Sequence, residues 1–406
     1  MNFVLYAIPF FFLLIAIELI AERVRGTQYY RVNDAINSLM AGVLSQVFGL
    51  IKKMIPFTVY YWVFEHFQLT QLPNNIWVWA FAFISYDFFY YWNHRLGHEV
   101  NLFWAAHVVH HSSEEYNLST ALRQTSGSFL NWIFFIPMAF IGIDPLILIS
   151  VGSLNLIYQF WVHTRHIPKL GWFEWFFVSP SNHRVHHAQN QIYLDKNYGG
   201  VLIIWDRIFG TFQEELDEQK PIYGVRKPLS SWNPIWANLQ VYTQLSKDCW
   251  RAKRWQDKCM IWFKRTGWRP KDVEQNFPLI QTDLNKFIKY NPALSLRQKV
   301  FAVSMFMVLI GLGLVSLFFG YLLSTASFAS LITVVLLLSV SIGFCLEKRK
   351  WANTFAASTL VITLLLLGLI YIPYWAYLSL TTISIVTLAS LAICFFDKAP
   401  RLRSDK

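Results

Sequence analysis

Long apolar stretches dominate this chain, and several approach the roughly 20 residues that an α-helix needs to cross a bilayer. Pro cannot continue a helix, so the Asp144-Pro145 pair predicts a hairpin turn inside the longest stretch. The sequence therefore predicts an all-α, polytopic membrane protein with about nine transmembrane helices. The predicted spans are Phe3–Ala21, Asp34–Phe64 (interrupted by Lys52, Lys53 and Pro56), Ile76–Trp92, Phe129–Trp161 (a hairpin), Val300–Leu323, Phe328–Leu346, Thr354–Ile372 and Trp375–Phe396.

The composition agrees with a membrane environment. Of the 406 residues, 55% are hydrophobic and 15% are charged, whereas about 25% are charged in typical soluble domains. Such a chain has too much apolar surface to be disordered, and its 18 Trp and 19 Tyr suit the lipid–water interface. The scattered cysteines, without CxxC spacing, exclude a disulfide scaffold. They are Cys249, Cys259, Cys345 and Cys394.

Basic residues are distributed unevenly between the predicted loops. If the N-terminus lies outside, 33 of the 35 Lys and Arg fall in inner segments, and the other two are Lys52 and Lys53. Inner loops of membrane proteins are enriched in these residues, so we expect a cytosolic C-terminus, in a bacterial inner membrane or the endoplasmic reticulum. The first stretch lacks signal-peptide features and is expected to remain in the protein. We therefore attribute the net charge of +11 to membrane topology and to attraction toward anionic lipid, and we expect no nucleic-acid partner.

Ten of the eleven histidines fall between His94 and His187, in segments that the charge pattern places inside. They form four boxes: HxxxH at His94–His98, HxxHH at His107–His111, HxxH at His163–His166 and HxxHH at His183–His187. Residues three or four apart share a helix face. The HxxxH box thus aims two imidazoles the same way, and each HxxHH box aims its first histidine at both of the last two.

Neutral imidazole is a good ligand for iron and zinc. Three such boxes can bring eight imidazoles together, and eight nitrogens are more than one ion needs, so two ions are expected. The lone His66 is instead expected to be a hydrogen-bonded structural residue. The chain has no GxSxG elbow, P-loop, Rossmann glycine pattern or HExxH motif.

At these boxes the chain resembles the fatty acid hydroxylase / sterol desaturase superfamily of membrane-bound di-iron enzymes, and within it the alkylglycerol monooxygenase group. Four segments carry the resemblance, which is close over roughly residues 80–225. They are His107–Gln124 (HVVHHSSEEYNLSTALRQ), Gln159–Thr164 (QFWVHT), Ser179–Asn190 (SPSNHRVHHAQN) and Asp195–Phe212 (DKNYGGVLIIWDRIFGTF).

The resemblance implies which residues hold the metal ions and which one is needed for activity. Glu99, directly after the first box, is the implied catalytic residue, either as a carboxylate that orients a ligand or as a plain interfacial Glu. His163 is a candidate ninth ligand, and His166 departs from the group's pattern. Asp195, Asn197 and Tyr198 either shape a pocket or form a turn. The implied metal ligands are His94, His98, His107, His110, His111, His183, His186 and His187.

The resemblance also implies a reaction: hydroxylation of a lipid C–H bond with O2 at two iron ions. In the alkylglycerol monooxygenase group, this cleaves a glyceryl ether to a fatty aldehyde and a glycerol derivative. The implied partners are a membrane lipid substrate and an electron donor, tetrahydrobiopterin, for which the residues themselves indicate no site.

Two other functions are compatible with the same residues. One is a fatty acid, sterol or carotenoid-type hydroxylase or desaturase that uses a protein electron donor. The other is a metal transporter, which the position of the boxes disfavours because pathway residues are expected inside the hydrophobic spans.

With this resemblance the chain divides into four predicted parts. N-terminal transmembrane helices occupy 1–75, a fatty acid hydroxylase-type catalytic domain 76–228, a basic cytosolic or interfacial segment 229–299, and a C-terminal four-helix transmembrane region 300–406. Within the third part, Trp250–Trp255 fits either an amphipathic helix on the inner leaflet or a solvated helix without a special role.

Overall fold

The structure is a computed structural model that describes residues 3–52, 54–280 and 282–367. Within these ranges the protein is all-helical, with isolated β-bridges and no β-strand, as the sequence predicts. The α-helices are α1 (Phe3–Arg25), α2 (Val32–Lys52), α3 (Met54–Phe67), α4 (Ile76–Glu99), α5 (Asn101–His111), α6 (Leu118–Ala121), α7 (Ile136–Ile141), α8 (Pro145–Trp161), α9 (Pro180–His186), α10 (Ile204–Ile208), α11 (Pro234–Arg251), α12 (Trp255–Phe263), α13 (Lys271–Asn276), α14 (Leu296–Phe319), α15 (Thr325–Leu346) and α16 (Ala352–Leu367).

Four helical stretches in the described part are long and apolar enough to cross a membrane: Phe3–Arg25, Val32–Ile51, Leu296–Leu322 and Thr325–Leu346. Shorter apolar helices occupy Asn131–Ile141, Pro145–Trp161 and Ala352–Leu366. The predicted span Trp375–Phe396 and the end of Thr354–Ile372 lie outside the described residues. The total of about nine spans therefore stays a prediction.

The predicted hairpin turns where the Asp144-Pro145 pair stands. Gly142 ends α7 with φ +97°, and a Cβ there would lie 2.1 Å from the carbonyl oxygen of Thr70. Asp144 then caps α8 by accepting a hydrogen bond from the backbone of Leu146, and Pro145 occupies the first helical position. The second arm, α8, has 17 residues, fewer than the roughly 20 that a span needs.

Helix α4 positions the first histidine box. Its N-terminus is capped by Asn75, whose side chain accepts hydrogen bonds from the backbone of Trp77 and Val78. The helix continues beyond the predicted end at Trp92 to Glu99. The same rigid element thus carries an aromatic-rich first half and the two histidines of the first box.

The described residues form two compact units. The first comprises 3–41, 51–230 and 237–289 and contains every histidine box. In it, α4 packs against α5 and α8, and α1 packs against α8. The second comprises 42–50, 231–236 and 290–367, where α15 packs against both α14 and α16. The predicted division into four parts is a different one and stays a prediction.

Candidate metal centre

Nine histidines converge in two groups inside the first unit. Within each group, the potential ligand atoms all lie within 4.8 Å of one another. Eight of the nine side chains are buried and His107 is half-buried. The five-histidine group is His94, His98, His107, His111 and His186, and the four-histidine group is His110, His163, His183 and His187.

The boxes divide between the groups in a way that the sequence prediction missed. Each HxxHH box was expected to aim its first histidine at both of the last two. Instead His107 and His111, four residues apart, share one group, and His110 joins the other. Side chains at i+3 and i+4 differ by about 100° around a helix of 3.6 residues per turn. Adjacent histidines can therefore reach two different ions.

The second HxxHH box, His183–His187, repeats this division with the opposite assignment. His183 and His187 belong to the four-histidine group, while His186 joins the five-histidine group. The short helix α9 that carries them begins at Pro180. A capping box between Ser179 and Asn182 caps its N-terminus. His163, the candidate ninth ligand, lies just after α8 and completes the four-histidine group.

Backbone carbonyls fix the tautomers of four of these imidazoles. A carbonyl oxygen can only accept, so the Nδ1 atom that contacts it must carry the proton and Nε2 keeps its lone pair. This arrangement is typical of metal-binding histidines. The pairs of Nδ1 and carbonyl oxygen are His94–Tyr198 at 2.8 Å, His110–Arg123 at 3.0 Å, His163–Gln159 at 2.8 Å and His186–Lys196 at 2.9 Å.

The spacing of the Nε2 atoms fits metal ligation. His110 and His163 both have protonated Nδ1 atoms, yet their Nε2 lone pairs face each other across 3.3 Å with no hydrogen to bridge them. His163 Nε2 also lies 3.0 Å from His183 Nε2, and His94 Nε2 lies 3.1 Å from His107 Nε2. Ligands bonded at about 2.1 Å to one ion lie about 3.0–3.4 Å apart when they are neighbours. A cation between the lone pairs would remove their repulsion.

Burial keeps the imidazoles in the ligand form. It lowers the pKa of His110 to about 4 and that of His94 to about 3, and the other seven histidines of the two groups shift in the same direction. Neutral imidazole is the species that binds a metal ion. The donor set of nine neutral nitrogens fits iron, and it would also fit zinc.

Two buried aspartates hold the loop that fixes His94. Asp206 accepts hydrogen bonds from the backbone N–H groups of Tyr198 and Gly199, both at 2.7 Å. Asp87, on α4, accepts the backbone N–H of Val201 at 2.8 Å. Together they hold the Tyr198 carbonyl oxygen where it meets His94 Nδ1. Burial raises the pKa of Asp206 to about 6.

The second box is held by a buried arginine. Arg123 donates to the carbonyl oxygen of Val109 at 2.8 Å, to Ser112 Oγ at 2.9 Å and to Asn37 Oδ1 at 2.6 Å. Its own carbonyl oxygen accepts the Nδ1 proton of His110. Sequence reasoning did not single out this residue or the two aspartates, because they act through backbone groups and not as metal ligands.

Glu99 lies in neither histidine group. Its carboxylate is bound by Arg95 Nε at 3.0 Å, one helical turn earlier on α4, and its side chain is about a quarter exposed (26%). Its predicted role in catalysis stays a prediction. His66 also lies outside both groups, with its ring nitrogen 2.9 Å from the Trp62 carbonyl oxygen, and His166 lies against Arg25.

The segment around Asp195 forms a turn and also contributes to the site. Asp195 and Asn197 have left-handed φ angles of 58° and 56°. The Asn197 side chain donates to the carbonyl oxygens of Asn182 and Gln213, which ties the turn to α9. Asp195 lines a cavity of about 490 Å³. The turn is therefore present, and of Asp195, Asn197 and Tyr198 only Asp195 lines the cavity.

That cavity reaches both histidine groups. Its lining includes His98, His111, His186 and His187. The lining also includes side chains of α11 and of 266–280, within the basic segment whose role the sequence left open. The amphipathic alternative for Trp250–Trp255 stays a prediction, with both tryptophans exposed.

Fold and site together define a class: a helical membrane protein of the histidine-box hydroxylase type. A family model described as fatty acid hydroxylase matches residues 79–211, the part that contains both groups. The chain belongs to the alkylglycerol monooxygenase family, as its motifs predict.

The relatives that show this are similar over most of their length. The human alkylglycerol monooxygenase is 37% identical over 366 residues, 86% of this chain and 79% of that protein. The Xenopus tropicalis enzyme is 34% identical over 395 residues, 96% and 88% of the two chains. The Danio rerio enzyme is 36% identical over 370 residues, 90% and 82%. No solved structure matches the chain.

Proposed function

We propose that this protein is a membrane-bound di-iron monooxygenase that hydroxylates glyceryl ether lipids and thereby cleaves them. The observation that carries the proposal is the convergence of nine histidines, eight of them buried, into two groups with ligand spacing. The names of the relatives, alkylglycerol monooxygenases, supply the substrate class.

The proposed cofactor is a pair of iron ions, one in each histidine group. The residues fit them, because the imidazoles are neutral and converge within each group, and four of them, His94, His110, His163 and His186, have Nε2 lone pairs left free by their Nδ1 contacts. Bound iron would supply the redox chemistry with O2 that no side chain provides. In this proposal all nine histidines are ligands.

The proposed reaction inserts one oxygen atom of O2 into the C–H bond beside the ether oxygen. The other oxygen atom leaves as water, with two electrons and two protons supplied by a reductant, proposed to be tetrahydrobiopterin. The product is a hemiacetal, which breaks its C–O bond to the glycerol oxygen. A fatty aldehyde and a free glycerol derivative result.

The chain's own residues hold and shield this reaction. The carbonyl oxygens of Tyr198 and Arg123 keep His94 and His110 in one orientation, so that the ligand cage needs no reorganisation. Burial of the imidazoles limits the access of water to the oxidant. Glu99 is proposed as the catalytic carboxylate, positioned through Arg95 beside the first box.

The proposed topology has the N-terminus outside, about nine transmembrane helices, and both histidine groups at the cytosolic face. Its support is the placement of 33 of 35 basic residues in segments that would then lie inside. Cys259 is exposed in the basic segment. In sealed right-side-out vesicles, a membrane-impermeant thiol reagent should label it only after lysis; labelling before lysis would invert the orientation.

The test is an assay of the detergent-purified protein loaded with iron. Given an alkylglycerol, reduced pterin and O2, it should release a fatty aldehyde and contain about two iron ions per chain. Iron binding without aldehyde formation would contradict the assignment of an ether-lipid substrate but not the assignment of an oxygenase. Absence of iron binding would contradict both assignments.

The second candidate function is that of a fatty acid or sterol-type hydroxylase or desaturase. The match to a fatty acid hydroxylase family model over residues 79–211 favours it, because that match covers the site without the rest of the chain. Lipid profiling of a deletion strain separates the two: accumulation of ether lipids supports the first function, and accumulation of an unhydroxylated acyl or sterol lipid supports the second.

A further inference from the structure

The cavity beside the histidines is large enough to bind a small molecule. Its volume of about 490 Å³ falls within the usual 300–1,000 Å³ of small-molecule sites. Its lining includes both His98 and His111 and side chains of α11. A molecule bound there would contact both the proposed oxidation centre and a helix that lies outside the histidine boxes.

Four buried side-chain atoms of the residues that line this cavity have no hydrogen-bond partner: His186 Nε2, which is a proposed metal ligand, Arg226 Nε, Gln189 Oε1 and Gln240 Nε2. The two glutamine atoms are the neutral ones outside the histidine groups. Gln189, two residues after His187, is 1% exposed. Its Nε2 donates to the Tyr223 carbonyl oxygen at 3.0 Å, which fixes the amide orientation and leaves Oε1 as an unpaired acceptor. On α11, Gln240 Nε2 is an unpaired donor. Leaving a buried polar group unpaired costs about 1–3 kcal/mol, so these two atoms indicate a polar ligand.

The charged side chains of the wall are largely occupied by one another. Asp248 is held by Arg269 through two hydrogen bonds of 2.7 and 2.8 Å, and both side chains are buried. Asp195 is paired with Arg265 at 3.2 Å. The lining also includes the exposed Lys227 and Glu274, and Arg226, which donates to Gln191 Oε1 at 2.6 Å. Cations and carboxylates are thus equal in number, three of each, so the wall favours a neutral polar group over an ion of either sign.

We infer that Gln189 and Gln240 bind the glycerol hydroxyl groups of the substrate. This inference rests on the proposed function. A hydroxyl group both donates and accepts, so a vicinal diol complements an unpaired acceptor and an unpaired donor. In a glyceryl ether, only a few bonds separate these hydroxyls from the carbon to be oxidised. The groups that bind them must therefore lie close to the histidines, as Gln189 does in the sequence and in the cavity wall.

The inference assigns specificity to residues outside the histidine boxes. The two glutamines would select lipids with free glycerol hydroxyls and orient the ether carbon toward the five-histidine group. A site built to hydrogen-bond a hydroxyl discriminates against the analogue that lacks it, because its own polar groups then stay unpaired.

The experiment compares three substrates with the iron-loaded enzyme: a 1-O-alkylglycerol and its two analogues, each lacking one of the glycerol hydroxyls. The wild-type enzyme should prefer the complete glycerol by at least about tenfold in kcat/KM. Gln189→Leu and Gln240→Leu should each lower kcat/KM for the alkylglycerol about tenfold and leave it nearly unchanged for one analogue. Gln256→Leu, an exposed glutamine on α12, is the matched control and should change nothing.

The outcomes separate this inference from the function on which it rests. Equal losses on all three substrates, or an unchanged preference in both variants, would overturn the glutamine assignment while leaving ether oxidation in place. If the wild-type enzyme oxidises none of the three, the proposed function fails and the assignment with it. Iron content reports whether the Leu variants fold.

Discussion

The two histidine groups differ in number and in what they face. Three members of the five-histidine group line the cavity, whereas only His187 of the four-histidine group does so. The half-buried His107 also belongs to the larger group. A metal ion in the larger group would therefore be the one that meets substrate, and an ion in the smaller group would be more enclosed by protein. The pair is built from the same boxes, but its two halves are not equivalent.

The largest expected effect comes from removing one ligand from each group in turn. His163→Ala would leave three imidazoles in the four-histidine group, and we expect the iron content to fall to about one per chain with loss of activity. His107→Ala would leave four imidazoles in the five-histidine group, so both ions should remain, with activity reduced. Elemental analysis and aldehyde release measure the two effects.

His66→Ala is the control for this pair, because that residue lies outside both groups. Equal iron loss in the two ligand variants would show that the groups are equivalent and break the comparison.

Glu99→Gln should separate metal binding from catalysis. Because Glu99 lies in neither group, the iron content should stay at about two per chain while kcat falls by about two orders of magnitude. The variant keeps the size of the side chain and can still accept a hydrogen bond from Arg95. Loss of iron in this variant would place Glu99 among the ligands, and full activity would remove its catalytic role.

Asp206→Asn should weaken the five-histidine group selectively. An amide nitrogen in place of one carboxylate oxygen would face a backbone N–H of Tyr198 or Gly199 and loosen the carbonyl that fixes His94. Loss of such a supporting contact typically costs 10–100-fold in metal affinity or activity. Titration with a chelator measures it, and two ions that are lost in parallel would contradict the selectivity.

The smallest effect is expected at a surface ion pair. Lys169 and Glu214 are 3.0 Å apart with side chains 35% and 58% exposed. Such a pair contributes less than about 1 kcal/mol, so Lys169→Ala should leave both iron ions in place and change activity less than about twofold. A larger loss would mean that the link between this loop and the four-histidine group is tighter than its exposure indicates.

The histidine spacing indicated convergence because helix geometry converts sequence spacing into direction. All nine candidate ligands, His163 included, fall in the two groups. That they bind metal stays a prediction. The division of each HxxHH box between two groups was not predicted. The prediction treated residues three and four positions away as lying on the same helix face, although their side-chain directions differ by about 100° around the helix.

The fold was predicted in class and less well in detail. The length of the apolar stretch was enough to predict α1, α14 and α15, which are long and apolar enough to cross a membrane. The same criterion could not distinguish membrane-crossing helices from shorter apolar helices such as α8, which packs against α4. The cavity wall on α11 was missed because Gln240 has no neighbouring motif. Only the folded chain brings Gln240 into the lining of the same cavity as the histidines.

Each HxxHH box contributes histidines to both groups, so the two proposed ion sites share the same supporting helices. His110 and His111 are neighbours on one helix, as are His186 and His187, and each pair serves both groups. The first ion to arrive would order both helices and so prepare the second cage. We therefore expect either ion alone to hold both helices in place, so that protein carrying a single ion keeps the empty cage assembled.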